Sequence, residues 1–452
     1  MVLFDLQHAR KKLRKRVSGW RPGADFSSRI RSIGHLLAGN ASSTVIGLVA
    51  FALTARALGP TQYGILALCF TYTRAIERII SFQSWQPLIK YGAEALEGGR
   101  TEDLKQLLKF GLVLDLSAAI LAWALAVVLL VAGASLFGIA PDTRTLALIY
   151  CFVLPFQLSG MPTAVLRLFG RFRSLAYLQV ASSVARACLC GVGVALNWGL
   201  LEFTLIWMLT QIFSGLGLLW IAMRVLRGQN FGGILFMSMQ GIRVRFPGLW
   251  RFSLSANLSL TIRSSASELD TLIVGALTDA ASAGLYHIAK RIGRLGQQAG
   301  VQVQAVVYPE LSRAWAAQSI KSFTRIVSQT QLLLLAAGII GLVVLYPTIE
   351  PLLVLAAGPA FAAAAPLVIV QGFAVVLTLC AAVLRSALLS MGQERAVLNS
   401  VLIATLFFHA TALVAIPQIG AMGANIAHIV MSALWLITMH LSYRRLVGSI
   451  KE

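Results

Sequence analysis

Charge is scarce in this chain. Charged residues make up 12% of its 452 residues, and the acids, at 17, are fewer than half of the 38 lysines and arginines. So little polar surface excludes a soluble domain, and 58% hydrophobic residues with a mean hydropathy of +0.78 point to a polytopic membrane protein. The five cysteines, Cys69, Cys151, Cys188, Cys190 and Cys380, all lie in apolar segments without paired metal-ligand spacing, so they read as packing residues. No nucleophile–base pairing, P-loop or metal-ligand cluster is evident, and outside the apolar segments the non-basic loops hold few carboxylates, chiefly Asp142, Glu202, Asp279 and Glu350. These absences argue against an enzyme.

What is present is a pattern of twelve apolar stretches, expected as spans near 33–57, 62–90, 108–135, 144–166, 174–196, 202–223, 252–276, 282–307, 326–346, 362–387, 396–416 and 420–442. A net charge of +21 would suit nucleic acid, but the cations alternate from one connection to the next. One set of connections carries 28 lysines and arginines, from Arg10 through Arg100, Arg171, Arg224, Arg313 and Arg395 to Lys451; the other carries only Arg56 and Arg144. The positive-inside rule places the rich set, and with it both termini, in the cytoplasm. No nucleic-acid partner is expected. The stretch from His8 to Arg31 lacks the apolar core and cleavage site of a signal peptide and reads as a topology anchor on anionic lipid.

An even number of spans allows two halves of like orientation. Residues 55–68, ARALGPTQYGILAL, have a counterpart in 275–289, GALTDAASAGLYHIA; Gly170-Arg171-Phe172-Arg173 corresponds to Gly392-Gln393-Glu394-Arg395. The expected organisation is a basic N-terminal segment over 1–32, an N-lobe over 33–226, a linker over 227–251, a C-lobe over 252–443 and a tail over 444–452. Together with Leu269-Asp270-Thr271-Leu272-Ile273-Val274-Gly275 and Gly284-Leu285-Tyr286-His287-Ile288-Ala289, these turns resemble the polysaccharide transporter (O-antigen flippase) family of the multidrug/oligosaccharidyl-lipid/polysaccharide exporter superfamily. The resemblance spans nearly the whole chain. It implies an all-α, V-shaped protein of two six-helix lobes with a central cavity, resident in the bacterial inner membrane, that moves a polyprenyl-diphosphate-linked oligosaccharide to the outer leaflet by alternating access. Membrane lipids, a polysaccharide polymerase and assembly proteins are the partners it implies.

Eight cations, Arg74, Arg78, Lys90, Arg186, Arg263, Lys290, Arg291 and Arg294, fall inside the apolar stretches. Each is expected to cost about 2.5–3.5 kcal/mol at mid-membrane, so such residues face a protein interior or a watery cavity. Arg74, Glu77, Arg78 and Ser81 follow helical spacing and share one stripe. At about 1.5 Å per residue from Tyr63, Arg74 and Arg78 lie roughly 16–22 Å deep, beyond easy snorkelling. His287, Arg291, Arg294 and Gln298 form a second stripe with Lys290 on its flank, where Lys290 is placed to snorkel. Arg263 and Asp270 align on the seventh span while Glu268 lies about 200° around from Asp270. Asp270 reads as a cap or brace for the turn into the eighth span, and Glu77, Glu268 and Asp270 are the candidates for coupling to a counter-ion such as H⁺ or Na⁺. Arg186 has no charged sequence neighbour within four residues.

Against eight intramembrane cations stand four acids, Glu77, Asp115, Glu268 and Asp270. A cationic interior fits a phosphate-rich head group, with Arg74, Arg78, Arg186, Arg263, Lys290, Arg291 and Arg294 as the expected substrate ligands and no cofactor required. Outward movement of two negative charges would gain about 4–5 kcal/mol at 100 mV, from about 2.3 kcal/mol per charge. A drug or cation antiporter of the same superfamily would need an acidic lobe, the opposite balance. A membrane-embedded glycosyltransferase or polymerase would need carboxylates on a substantial external loop. Prolines within the spans, Pro87, Pro155, Pro162 and Pro366, are expected to kink helices.

Overall fold

In lipid, backbone N–H and C=O groups have no water to bond, so each apolar stretch satisfies its own as helix. The computed structural model describes residues 24–81, 84–246, 249 and 265–448, and every regular element among them is helical. The order is α1 Ala24–Ile80, α2 Trp85–Glu97, α3 Thr101–Gly133, α4 Arg144–Cys151, α5 Gly160–Leu168, α6 Phe172–Ala195, α7 Leu200–Gly228, α8 265–277, α9 Ala280–Ala316, α10 Ile320–Ala357, α11 Ala365–Ser390, α12 Glu394–Ile419 and α13 Ala421–Gly448. Arg263, the first 23 residues of the basic segment and the tail from 449 lie outside the described residues.

Expected spans one and two are the two limbs of α1. Gly59 breaks it at φ 69°, ψ 175°, and Pro60 restarts the helix without needing the N–H it lacks. The limbs fold back on each other: the rings of Phe51 and Phe70, which a straight helix would hold about 28 Å apart, have centroids 6.2 Å apart. Two of the expected spans are interrupted. The second ends at Ile80, and α2 is a separate helix that packs on α3 and α5. Lys90, expected inside the membrane, is therefore exposed on α2 beside the Tyr91 ring. The fourth span is broken into α4, a 3-10 turn at Leu154–Phe156, and α5.

Asp115 of α3 ties both breaks together. Its carboxylate accepts from Ser84 Oγ at 2.5 Å and from the Met161 backbone N–H at 2.6 Å, so one acid serves the start of α2 and the start of α5. It is a structural group. Gly160 leaves room for this pairing, since a Cβ would lie 1.8 Å from Ser84 Oγ.

The hydrophobic cores define the shape. One large core draws Ala55, Tyr63 and Leu68 of α1, Tyr150 of α4 and Phe203 of α7 together with Val274, Tyr286, Phe361, Phe408 and Ala427 of the C-lobe. At the opposite end the two halves have separate cores, one around Leu88, Leu107, Val165 and Leu226, the other around Leu311, Phe323, Leu384 and Tyr443. Helices joined at one end over a common core and divided at the other make a V. At the joined end the repeated turns press on each other: a Cβ on Gly64 would meet the Ala280 carbonyl oxygen at 1.7 Å, and one on Gly284 would meet the Pro60 oxygen at 2.5 Å. Arg56 adds a hydrogen bond to the Leu355 carbonyl at 3.0 Å.

Within the C-lobe, α9 lies on α11 through Gly293, Gly296 and Gly300, where the Gln371, Val375 and Leu379 side chains occupy the space of the missing Cβ atoms. Lys290 of α9 bonds Asp270 of α8, and neither reaches solvent: they are 6% and 0% exposed. Asp270 also accepts from Tyr286 Oη at 2.8 Å and from the Thr271 N–H at 2.6 Å, and sits 3.1 Å from His428 Nε2. Lys290 thus does not snorkel, because an internal carboxylate satisfies it better than the lipid interface could. Asp270 braces α8 against α9 and α13; the cap on α9 is Asp279, which accepts from the Ser282 N–H at 2.8 Å.

Two stability measurements follow, both by thermal melting in detergent. Gly64→Ala should cost about 1–3 kcal/mol, the usual penalty of overpacking, whereas Gly191→Ala, whose Cβ would meet nothing within 4 Å, should leave the midpoint no lower than wild type; equal losses would contradict the contact. Lys290→Met should cost about 3–5 kcal/mol by stranding a buried carboxylate, and adding Asp270→Asn should recover much of it; a double variant no better than the single would contradict the pairing.

Candidate functional site

The spacing that put Arg74, Glu77 and Arg78 on one stripe places them on one wall of a cavity of about 410 Å³. Arg186 and Gln179 of α6, Gln211 and Ser214 of α7, and Gln157 and Ser159 from the break between α4 and α5 supply other walls. Arg291 of α9 reaches in from the other half. Four arginines face one carboxylate, Glu77. The broken fourth span matters here, because unwound backbone is tolerated at membrane depth only where it lines a cavity or is held by protein.

Arg186 and Arg291 each rest on an aromatic ring beside the cavity. Arg186 donates through Nε to Thr210 Oγ1 at 2.9 Å, and its Cζ stands 4.6 Å from the Trp207 ring centroid. Arg291 lies over Phe51, with Cζ 3.7 Å from the centroid. These are cation–π contacts, which soften the loss of water without neutralising the charge. Thr210 itself donates to the Ile206 carbonyl, and Trp207 donates to Thr54 Oγ1 at 3.2 Å, so the aromatic support is fixed in its turn.

Arg74 bridges the two halves through its Nε, 3.3 Å from Glu268 Oε2 on α8. This pair occupies Glu268, one of the coupling candidates. Arg294 turns to the Ser267 carbonyl at 3.4 Å and does not line the cavity. Lys290 is also turned away, against Asp270. His287, buried, shares a 2.9 Å hydrogen bond between Nδ1 and Tyr63 Oη, and Gln298 donates to Thr44 Oγ1 at 3.3 Å. The second stripe therefore divides: Arg291 serves the cavity, while its neighbours hold α9 against α1 and α8.

A second chamber of about 490 Å³ opens from the first across a shared wall that includes Glu77, Arg78, Gln157 and Gln179. Trp85, Asp115, Thr163 and Arg167 line its far side. Neutral polar residues such as Gln157, Gln179 and Gln211 carry no charge signal, so sequence reasoning missed them. Gln157 donates to Gln211 Oε1 at 3.1 Å and Gln211 donates to Tyr150 Oη at 2.6 Å, a polar relay inside an apolar bundle. The signal that could have located the breaks was proline: Pro87, Pro162 and Pro366 each stand in the first turn of a new helix rather than at a kink.

Similarity to known proteins agrees with this architecture. Residues 30–315 match the family described as polysaccharide biosynthesis protein. Inner membrane protein YghQ of Escherichia coli (strain K12) is 27% identical over 298 residues, 66% of this chain and 84% of that protein. Among solved structures, the lipid II flippase MurJ in an inward closed conformation superposes with a TM-score of 0.71 at 12% identity, covering 90% of this chain and 87% of that one. An inward-facing multidrug resistance MATE family transporter of the MOP superfamily gives 0.63 at 16% identity, covering 92% and 95%. At these identities the structural likeness is one of fold, whereas the family match extends over more than half of the sequence. The chain is a multi-pass membrane protein with a MATE- and MurJ-like fold, and it belongs to the polysaccharide biosynthesis protein family.

Proposed function

We propose that this protein is a flippase that carries a polyprenyl-diphosphate-linked oligosaccharide from the cytoplasmic to the outer leaflet for surface polysaccharide synthesis. One observation carries the reading: arginines from both halves, Arg74, Arg78, Arg186 and Arg291, face a single cavity within the membrane-spanning bundle. A diphosphate offers oxygens for several charge-assisted hydrogen bonds at once, which is the kind of partner such a cluster favours. A cationic drug would meet repulsion there.

The divided end of the V carries the basic connections, among them Lys105, Arg224, Arg313, Arg325 and Arg444. The positive-inside rule then directs that end, with both termini, to the cytoplasm, so the cavity takes its cargo from inside. Arg74 and Glu268 suggest how cargo talks to the lobes. A phosphate reaching Arg74 competes with Glu268 for the guanidinium, loosening a link between the halves and releasing a carboxylate for H⁺ or Na⁺. The polyprenyl chain stays in lipid while the head group crosses.

Reconstitution with a fluorescent polyprenyl-diphosphate oligosaccharide tests this. Wild type should exchange the lipid between leaflets, and Arg78→Ala and Arg186→Ala should each slow exchange by about tenfold or more, the scale of one lost charge-assisted bond. Arg313→Ala, at the exposed end of α9, should exchange as wild type does. Exchange by wild type no faster than in empty vesicles, or unchanged in both cavity variants, would contradict the reading.

A further inference from the structure

The basic end of the C-lobe carries a groove that the arginine cavity does not use. It lies between the start of α10 and the end of α13, has a volume of about 710 Å³, and shares no lining residue with either chamber. Lys321 and Arg325 of α10 and Arg444 of α13 line it, and no carboxylate does. Cations at the corresponding end of the N-lobe are spent on acids: Arg100 and Arg245 on Asp103, and Lys105 on Glu102. Among the described residues, none of the three groove cations pairs with a carboxylate. They keep their charge for something outside the protein.

The rest of the groove says what that is. Its floor is apolar: Val327, Tyr443 and Val447 are buried there, and Phe323 stacks on the Tyr443 ring with centroids 6.3 Å apart. Farther from the basic end, the same helices turn aliphatic. Leu332 and Leu335 stand one turn beyond Ser328 and Gln331 on α10, Ile437 stands three residues before His440 on α13, and all three are exposed. A cationic rim followed by an apolar track matches the order in which a phospholipid presents its head group and its chains, and a free phosphate would leave the track uncovered. Basic pockets between transmembrane helices on the cytoplasmic side suit anionic head groups, and the positive-inside rule sets this end there. No residue of the other half lines the groove, so it is not a station for cargo passing between the halves.

We propose that the groove between α10 and α13 is a binding site for an anionic phospholipid of the cytoplasmic leaflet, its phosphate held by Lys321, Arg325 and Arg444 and its acyl chains laid over Leu332, Leu335 and Ile437. The site goes beyond the flippase reading and does not depend on it. Its ligand is a resident lipid rather than cargo, and it clips the start of α10 to the end of α13. A zwitterionic phospholipid brings its own cation to a rim that already holds three, so the groove discriminates by net charge.

The test uses the purified full-length protein and three probes, phosphatidylglycerol, phosphatidylethanolamine and polyprenyl diphosphate, with affinities read by native mass spectrometry. Wild type should bind phosphatidylglycerol about tenfold or more tighter than phosphatidylethanolamine. Arg325→Gln alone should weaken phosphatidylglycerol about fivefold, the equivalent of about 1 kcal/mol for one cation near the surface, and Lys321→Gln/Arg325→Gln/Arg444→Gln should abolish the preference while leaving the affinity for polyprenyl diphosphate unchanged. A charge-matched control, Arg173→Gln/Arg227→Gln/Arg395→Gln, removes three exposed cations that line neither the groove nor the chambers and should keep the preference. All six positions are exposed, and thermal midpoints equal to wild type establish that the variants are folded. Equal wild-type affinity for the two phospholipids, a preference that survives the groove variant, or an equal loss in the control would overturn the site. So would a groove variant that loses polyprenyl diphosphate and keeps phosphatidylglycerol, which would make the groove a cargo site. Failure of wild type to bind polyprenyl diphosphate, with the phospholipid preference intact, would overturn the flippase reading and leave this site standing.

Discussion

The interior of this molecule is arranged around the cost of holding a cation away from water. A cation at mid-membrane costs about 2.5–3.5 kcal/mol on insertion scales, and the structure meets that cost in three distinct ways. Lys290 is neutralised by Asp270 in a dry core. Arg74 is shared with a carboxylate on the other lobe. Arg186 and Arg291 rest on aromatic faces and keep their charge exposed to a cavity. The first way makes a brace, the second a link between halves, and the third a surface that still wants an anion.

The same division of labour explains the V. A common core closes one end, where Gly64 and Gly284 let backbones touch, and nothing bulkier would fit. Toward the other end the halves keep separate cores, so they can part there without exposing a shared one. The cavity sits between these regimes, walled mostly by the N-lobe, with Arg291 as the C-lobe's contribution. Rocking of one half against the other would move Arg291 and Glu268 relative to the arginines of α1 and α6, changing the field felt by cargo.

Much of this was legible in the sequence because helical period is strict. Spacing of three and four put Arg74, Glu77 and Arg78 on one face, and they line one wall. The repeated turns announced two halves, and they meet at the closed end. What spacing could not reveal was pairing across helices. Lys290 and Asp270 are twenty residues apart on different helices, as Arg74 and Glu268 are on different halves, so no local pattern distinguishes a braced cation from a free one. Breaks at Ser84 and Ser159 were harder to read for another reason: the polar dips there, with Ser81, Gln83 and Ser84 at one and Gln157 and Ser159 at the other, are short, and the prolines that mark the new helices look alike whether they kink or begin one. Asp115, which holds both breaks, has its partners at the starts of two other helices.

The central claim is that guanidinium groups from both halves hold a phosphate group midway through the membrane. A cryo-electron microscopy structure of the full chain with polyprenyl diphosphate bound tests it most directly. The account predicts diphosphate density between Arg78, Arg186 and Arg291, with oxygen-to-nitrogen distances of about 2.7–2.9 Å and Arg74 drawn away from Glu268. Diphosphate density at the level of the lipid headgroups, with the cavity empty and the Arg74–Glu268 pair intact, would contradict it.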